Sequence, residues 1–406
     1  MRLRRQTVEQ ADSPISTAYE LLEDRTGTGE LLDLAQAAPQ YPPAPVVGRH
    51  LAQLVRRGGG AEYTEVPGLP HLRAAIAAEL GVAYGGEVAT ENVVVTAGCN
   101  QAFCVAVSAL AGAGDEVVLA LPYYFNHDMW LRLNGIVPVY LEPDADLVPR
   151  AAAAQPLLTE RTRAIVLVTP GNPTGVTVDP AELEAYAELA ARHGIALVLD
   201  ETYRSFRDVA DPPHRLFAGS RWSQTVVSLH SFSKDLAIPG YRVGAVVAPA
   251  ALNREVCKLL DCMAVCAPRL GQEAALVGLT EAREWRAARA ADLGRQREWM
   301  REAMADRPGG FELLSCGGFF GWIRHPFPTR PTEAVARQLV HDHGVLVMPG
   351  TAFLPDDRRT MRVSVGNADQ SGIAELATRL RAMGSVSRSP GPRPPGARRG
   401  SHGGCE

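Results

Sequence analysis

Ser231-Phe232-Ser233-Lys234-Asp235, followed by Gly240-Tyr241-Arg242-Val243-Gly244, is the stretch on which the reading of this chain turns. A lysine flanked by small hydroxyls, with an arginine a short turn later, suits a ligand that carries both an aldehyde and a phosphate. The amine condenses with the aldehyde while hydroxyls and guanidinium take the phosphate, and pyridoxal phosphate carries both groups. Composition sharpens the point, because the chain has only two lysines, Lys234 and Lys258, among its 41 basic residues. Arginine serves as the cation almost everywhere else. A guanidinium neither forms a Schiff base nor gives up its proton, so a lysine kept at position 234 marks chemistry more than charge.

Working outward, a chain of 406 residues is long enough for a large, well-buried domain and a smaller one. An apolar share of 46% with 21% charged residues is that of an ordinary globular protein. The formal charge of −4, with no basic cluster in the part expected to fold, speaks against binding to nucleic acid or to anionic lipid. Seven scattered cysteines without a C-x-x-C pair form neither a disulfide framework nor a zinc site, and His341-Asp342-His343 reads as a solvated helix end, so no metal is expected. There is no bilayer-length apolar run and no signal-peptide pattern after Met1, so the expected location is cytoplasmic.

In chain order, residues 1–45 read as an N-terminal arm and part of a small domain, with one short helix over 15–24 that Ser13-Pro14 caps and starts. Four prolines between 39 and 45 exclude a helix there. Residues 46–280 read as the large domain, where apolar runs at 93–96, 116–121, 164–169, 195–200, 225–230 and 243–248 alternate with helical stretches. That alternation predicts an α/β fold, a mostly parallel sheet covered by helices. Residues 281–384 predict a smaller α+β domain, opened by a long charged helix over 281–305. The stretch 385–406, rich in proline, glycine, serine and arginine, is expected to be disordered.

Polar residues gather just after the carboxyl ends of the runs, at Gly98-Cys99-Asn100, Tyr124, Asn172, Asp200 with Tyr203, and Ser231 to Lys234. Ligands of open α/β sheets bind at that edge. Gly98, Cys99 and Asn100 stand at a strand-to-helix turn whose free amides suit a phosphate. Asn172, in the proline- and glycine-fixed loop Thr169-Pro170-Gly171-Asn172-Pro173-Thr174-Gly175, can donate to a phenolate and reach a carboxylate. Asp200 ends an apolar run, where an unpaired carboxylate is costly, so it calls for a cation such as a pyridinium nitrogen. Tyr203 can bond the ring oxygen, Tyr124 can stack on the ring, and His127 can sit beside Asp200. Arg362, a lone charge in a strand pattern, suits an α-carboxylate.

In this order the pieces resemble the class I/II aminotransferases, the aspartate-aminotransferase-like family of fold-type I pyridoxal-phosphate enzymes, from about Leu32 to Met383. The resemblance implies Lys234 as the Schiff-base lysine and proton shuttle, Asp200 as the pyridinium partner, and Tyr203 and Asn172 as ring-oxygen donors. It likewise implies Gly98, Cys99, Asn100, Ser231 and Arg242 as the phosphate cup, Tyr124 as the stacking aromatic and Arg362 as the carboxylate-binding arginine. Tyr63, in a loop made mobile by Gly58-Gly59-Gly60, would complete the phosphate site of a second copy, which requires a homodimer with shared sites. Two departures stand out. Ala37-Ala38-Pro39 replaces the family's glycine before a proline, and no second arginine for dicarboxylates is evident, Arg269 being the one substitute on offer. The implied activity is transamination between an amino acid and a 2-oxo acid. Elimination, replacement or decarboxylation on the same cofactor is the alternative, and a cofactor-sensing regulatory domain is disfavoured because the short arm leaves no room for a helix-turn-helix module.

Overall fold

The computed structural model describes residues 1–23, 25, 29–208, 211–219 and 222–386. It contains thirteen strands among the described residues: β1 (Leu32–Asp33), β2 (Val93–Thr96), β3 (Glu116–Ala120), β4 (Val137–Leu141), β5 (Thr162–Val168), β6 (Ala196–Asp200), β7 (Val226–Ser231), β8 (Gly244–Val247), β9 (Glu312–Gly317), β10 (Phe320–Arg324), β11 (Val345–Leu346), β12 (Met348–Pro349) and β13 (Thr360–Ser364). Seven of them form one sheet in the order β2-β8-β7-β6-β5-β3-β4, in which β8 alone runs against its neighbours. The expected mostly parallel sheet is therefore what the chain builds.

The reason lies in the valine-rich runs, whose side chains alternate between the two faces. Leu197 and Leu199 enter one core with Val93, Val95, Ile165 and Leu167, while Val198 enters a second core with Val94 and Val166. Helices Pro70–Tyr84, Pro180–His193 and Arg269–Glu281 cover the first face, and Cys99–Leu110, Phe125–Leu133 and Ala250–Ala264 cover the second. The strand β4 is absent from the run pattern because Pro138 interrupts it and only Leu141 of its residues is fully buried, which an edge strand tolerates. Helix Pro45–Arg56 likewise goes unsignalled, since it begins at the last residue of the proline-rich segment; Pro45 fits there because a first-turn residue needs no N–H.

A second sheet, β12-β13-β10-β9, is antiparallel throughout, and β1 pairs with β11 in parallel. Helices Arg283–Met304, Thr332–His343 and Gln370–Val386 pack on it through Met300, Met304, Val335, Leu339, Ile373 and Leu380. Three details differ from expectation. The long helix over 281–305 is broken at Ala282, Ser13 makes no capping bond at the helix Pro14–Glu20, and helix Gln370–Val386 runs past the expected start of the tail at 385. The remainder of that tail, from 387, lies outside the described residues.

Because β2, β3, β5, β6 and β7 point the same way, Gly98, Tyr124, Asn172, Asp200 and Ser231 all emerge at one edge. Central strand β6 sets the height of Asp200 above that edge. Replacing fully buried Leu199 by alanine should cost about 2–5 kcal/mol in denaturant unfolding, the usual cost of a core cavity. A loss below 1 kcal/mol would show that β6 is not anchored by its apolar neighbours.

Candidate active site

A cavity of about 400 Å³ opens at this edge. Its walls include Cys99, Asn100, Tyr124, Asn172, Asp200, Tyr203, Ser231, Lys234, Arg242 and Arg362, residues drawn from both sheets. Gly98 lies directly behind as the N-cap of Cys99–Leu110, with φ of +86°. A side chain at Gly98 would collide with the Arg242 guanidinium, and Gly244 leaves no room for one against the main chain of Gly98. The helix start is thus left bare beside a cation, which is what an anion such as a phosphate needs. Arg242 is steadied from behind, donating to Pro239 O at 3.0 Å and Ala97 O at 3.3 Å.

Asp200 is buried. Thr202 N donates to its Oδ1 at 3.0 Å, Cys99 Sγ stands 3.5 Å from the same oxygen, and His127 Nε2 lies 3.4 Å from Oδ2. Burial pushes the carboxyl up, yet His127 and the Thr202 bonds outweigh it, so Asp200 is held below the ordinary carboxylate value and stays charged. His127 is itself fixed by stacking on Phe103 at 3.8 Å between centroids and by the edge of Tyr124. Cys99 therefore contributes differently from its cup expectation: its main-chain amide begins the helix, but its thiol turns towards Asp200.

Arg362 is carried by β13, opposite Trp322 of β10 and Met348 of β12. It lies buried between the rings of Phe320 and Phe353, 4.8 and 5.0 Å from its Cζ. Its Nη1 donates to Asn172 Oδ1 at 2.8 Å and its Nη2 to Ala35 O, while Nε has no partner. No carboxylate meets it among the described residues, and burial lowers its pKa to about 10. Lys234 donates from Nζ to Ala37 O, and burial, with the positive charges of Arg362 and Arg242, lowers its pKa to about 8. Tyr124 donates to Asn100 Oδ1 at 3.3 Å and accepts from Asn126 Nδ2 at 2.9 Å. Burial pushes the Tyr124 and Tyr203 phenols up, so both remain protonated donors.

The loop bearing Asn172 is clamped against the small sheet. Ser315 Oγ donates to Thr174 O at 2.7 Å, and Gly175 and Gly317 touch main chain to main chain, so that a Cβ on either would strike the other.

The sequence assigns Tyr63 to the site of a second copy, not to that of its own chain. Tyr63 is 79% exposed and does not line the cavity of its own chain. The structure adds walls that sequence did not mark: Ser13, Ile15, Gln36, Asn126 and Thr202. Ala37, noted in the sequence only as a departure, supplies the carbonyl that holds Lys234. Nothing in their residue types signals a site, for Ser13, Ile15 and Gln36 reach it from an arm far ahead of Asn126 in the chain.

With this geometry in hand, comparison with known proteins is informative. Residues 29–380 match the family described as aminotransferase class I and II. The chain belongs to that family. It is 33% identical over 344 residues to an arginine–pyruvate transaminase of Pseudomonas aeruginosa, covering 83% of this chain and 86% of the relative. It is 31% identical over 363 residues to an aromatic aminotransferase of Arabidopsis thaliana, covering 86% and 89%. A crystal structure of a Mycobacterium tuberculosis aminotransferase superposes with a TM-score of 0.86 at 25% identity, over 95% of this chain and all of that one. The aminotransferase is thus a pyridoxal-phosphate enzyme, and the bare helix start, charged Asp200 and unpartnered Arg362 Nε fit the cofactor's phosphate and pyridinium and a substrate carboxylate.

The lysine gives a test. Between about pH 8 and 10.5 the unfolded chain holds a proton that folded Lys234 has released, so folding gains stability as pH rises through that window. A Lys234→Met apoprotein should be the more stable below pH 8, and its advantage over wild type should shrink towards pH 10.5 in urea titrations. An advantage that does not change with pH would mean that the amine titrates normally.

Proposed function

We propose that this aminotransferase carries its amino-group transfer on Lys234, with Asp200, Tyr203, Asn172 and Arg362 in the roles their positions suit. The observation that carries the reading is Arg362, a buried guanidinium with an unpartnered Nε and no counter-ion, across the cavity from a lysine of lowered proton affinity. Pyridoxal phosphate, when bound, supplies an aldehyde for the amine and an electron sink for the charge left at Cα.

The chain's own groups do the rest. The first-turn amides after Gly98, with Ser231 and Arg242, hold the phosphate, and Asp200 holds a proton on the pyridinium nitrogen. Tyr203 and Asn172 donate to the ring oxygen, Tyr124 covers the ring, and Arg362 orients the substrate by its α-carboxylate, a planar match that lysine would not give. Lys234 Nζ, desolvated and beside two guanidinium groups, takes the Cα proton and returns it. A donor whose pKa lies near working pH serves both directions.

Replacing Arg362 by glutamine should lower kcat/KM for an amino donor by about 1.5–3 kcal/mol, the worth of a charged hydrogen bond, mostly through KM. Unchanged kinetics would remove Arg362 from the substrate site. Product analysis separates transamination from the alternative reactions, since only the former yields a 2-oxo acid with retention of the amino group on the protein-bound cofactor.

We propose further that the active form is a cytoplasmic homodimer in which Tyr63 completes the partner's phosphate site. Support comes from its exposure and from the neighbouring apolar residues Met263 and Val265, which also face outward. Shared sites predict a specific complementation. In a hybrid of a Lys234→Ala chain with a Tyr63→Phe chain, both lesions fall in one pocket and the other is intact, so activity should recover towards half the wild-type value per dimer. Full activity in a dilute monomer would end the proposal.

A further inference from the structure

We infer that this aminotransferase takes only uncharged side chains, in both halves of its reaction: a neutral amino acid as donor and a monocarboxylic 2-oxo acid of the pyruvate type as acceptor. The inference rests on the reading of Arg362 as the α-carboxylate site.

Among the described residues, the charged side chains lining the cavity are Asp200, Lys234, Arg242 and Arg362. Three of these are already committed. Arg242 is tied to Ala97 O and Pro239 O behind the helix start, Lys234 carries the chemistry, and Asp200 is enclosed by His127, Cys99 and Thr202. Arg362 is left for one carboxylate. The wall that remains for a side chain is made by Ser13, Ile15, Gln36, Phe125 and Asn126, none of them charged.

A second carboxylate placed against that wall would leave water for a surface of hydroxyl, amide and hydrocarbon. No cation offsets its desolvation. A cationic side chain fares no better, because the one carboxylate of the cavity is already enclosed. Arg269, the candidate second arginine, lies 3.4 Å from Glu62 and 3.6 Å from Glu273, so it arrives at any interface already neutralised. Since one cavity serves donor and acceptor in turn, the restriction applies to both. Ile15 and Phe125 favour apolar side chains, and Gln36 and Asn126 leave room for an amide.

The test uses the holoenzyme. Initial rates are measured for leucine, methionine, phenylalanine and glutamine against aspartate, glutamate and arginine, each with pyruvate and with 2-oxoglutarate. The neutral donors with pyruvate should exceed every combination containing arginine or a dicarboxylate by about a hundredfold in kcat/KM, the order expected when a charge is buried without a partner. Calorimetry on the same holoenzyme adds a readout free of turnover, in which 3-phenylpropionate should bind more tightly than maleate. Ile15→Arg or Asn126→Arg, each adding a cation to the wall, should narrow that gap at least tenfold, on the order of one charged hydrogen bond. Equal use of aspartate or glutamate, or tighter binding of maleate by wild type, would overturn the inference. If no amino acid transfers its amino group, the aminotransferase reading itself fails, while the two binding constants still decide the preference for a single carboxylate.

Discussion

Three cations, Lys234, Arg242 and Arg362, converge on a cavity that provides a single carboxylate. Burial lowers the proton affinity of both Lys234 and Arg362, and at Lys234 the positive charges of Arg362 and Arg242 lower it further, so the lysine records that tension. Much of the surrounding architecture serves to hold this excess in place. The 35–38 segment offers carbonyls to Arg362 and Lys234, Asn367 ties the same segment through Gln36 O at 2.6 Å, and two phenylalanine faces sandwich the guanidinium. A site so arranged is unsatisfied until anions arrive. On the reading proposed above, phosphate and substrate carboxylate would complete interactions that the protein has already organised.

The same tension explains which parts of the molecule could be read in advance. Asp200 and Arg362 each break a local rule, a charge set at the end of or within an apolar run, Lys234 breaks the chain's preference for arginine, and broken rules of this kind point to functional positions. The sheet was legible for the opposite reason, since the valine-rich runs of β2, β5 and β6 obey their period without exception. Strand β4 was lost because Pro138 and solvent exposure dilute its pattern, and Ser13, Ile15 and Gln36 were lost because residues of ordinary type acquire a role only when a distant arm folds over the cavity. The thiol of Cys99 illustrates a finer limit. Its position in the turn was evident, but the direction of its side chain depends on the first turn of the helix, which begins at Cys99 itself.

Family membership and site geometry bear on different questions. The match over residues 29–380 settles the cofactor and the class of reaction. It leaves open what lies beyond the α-carboxylate, because the family's relatives carry names as different as arginine–pyruvate and aromatic. On the inference drawn above, that part falls to the arm and to the 124–126 segment, where neutral side chains line the cavity.

The contact between Gly175 and Gly317 carries a consequence for how the enzyme measures its substrate. Asn172 belongs to a loop of the large sheet and Arg362 to the small one, and these two side chains meet as jaws, Arg362 Nη1 donating to Asn172 Oδ1 at 2.8 Å. Where the sheets meet beside them, bare backbone lies on bare backbone, with no side chain to act as a cushion. The jaws therefore work as a caliper of fixed gauge. Even a methyl group at either glycine would act as a shim, widening the gap without touching a single residue of the site, so that a change of one carbon at the seam would be felt as a change of fit at the clamp.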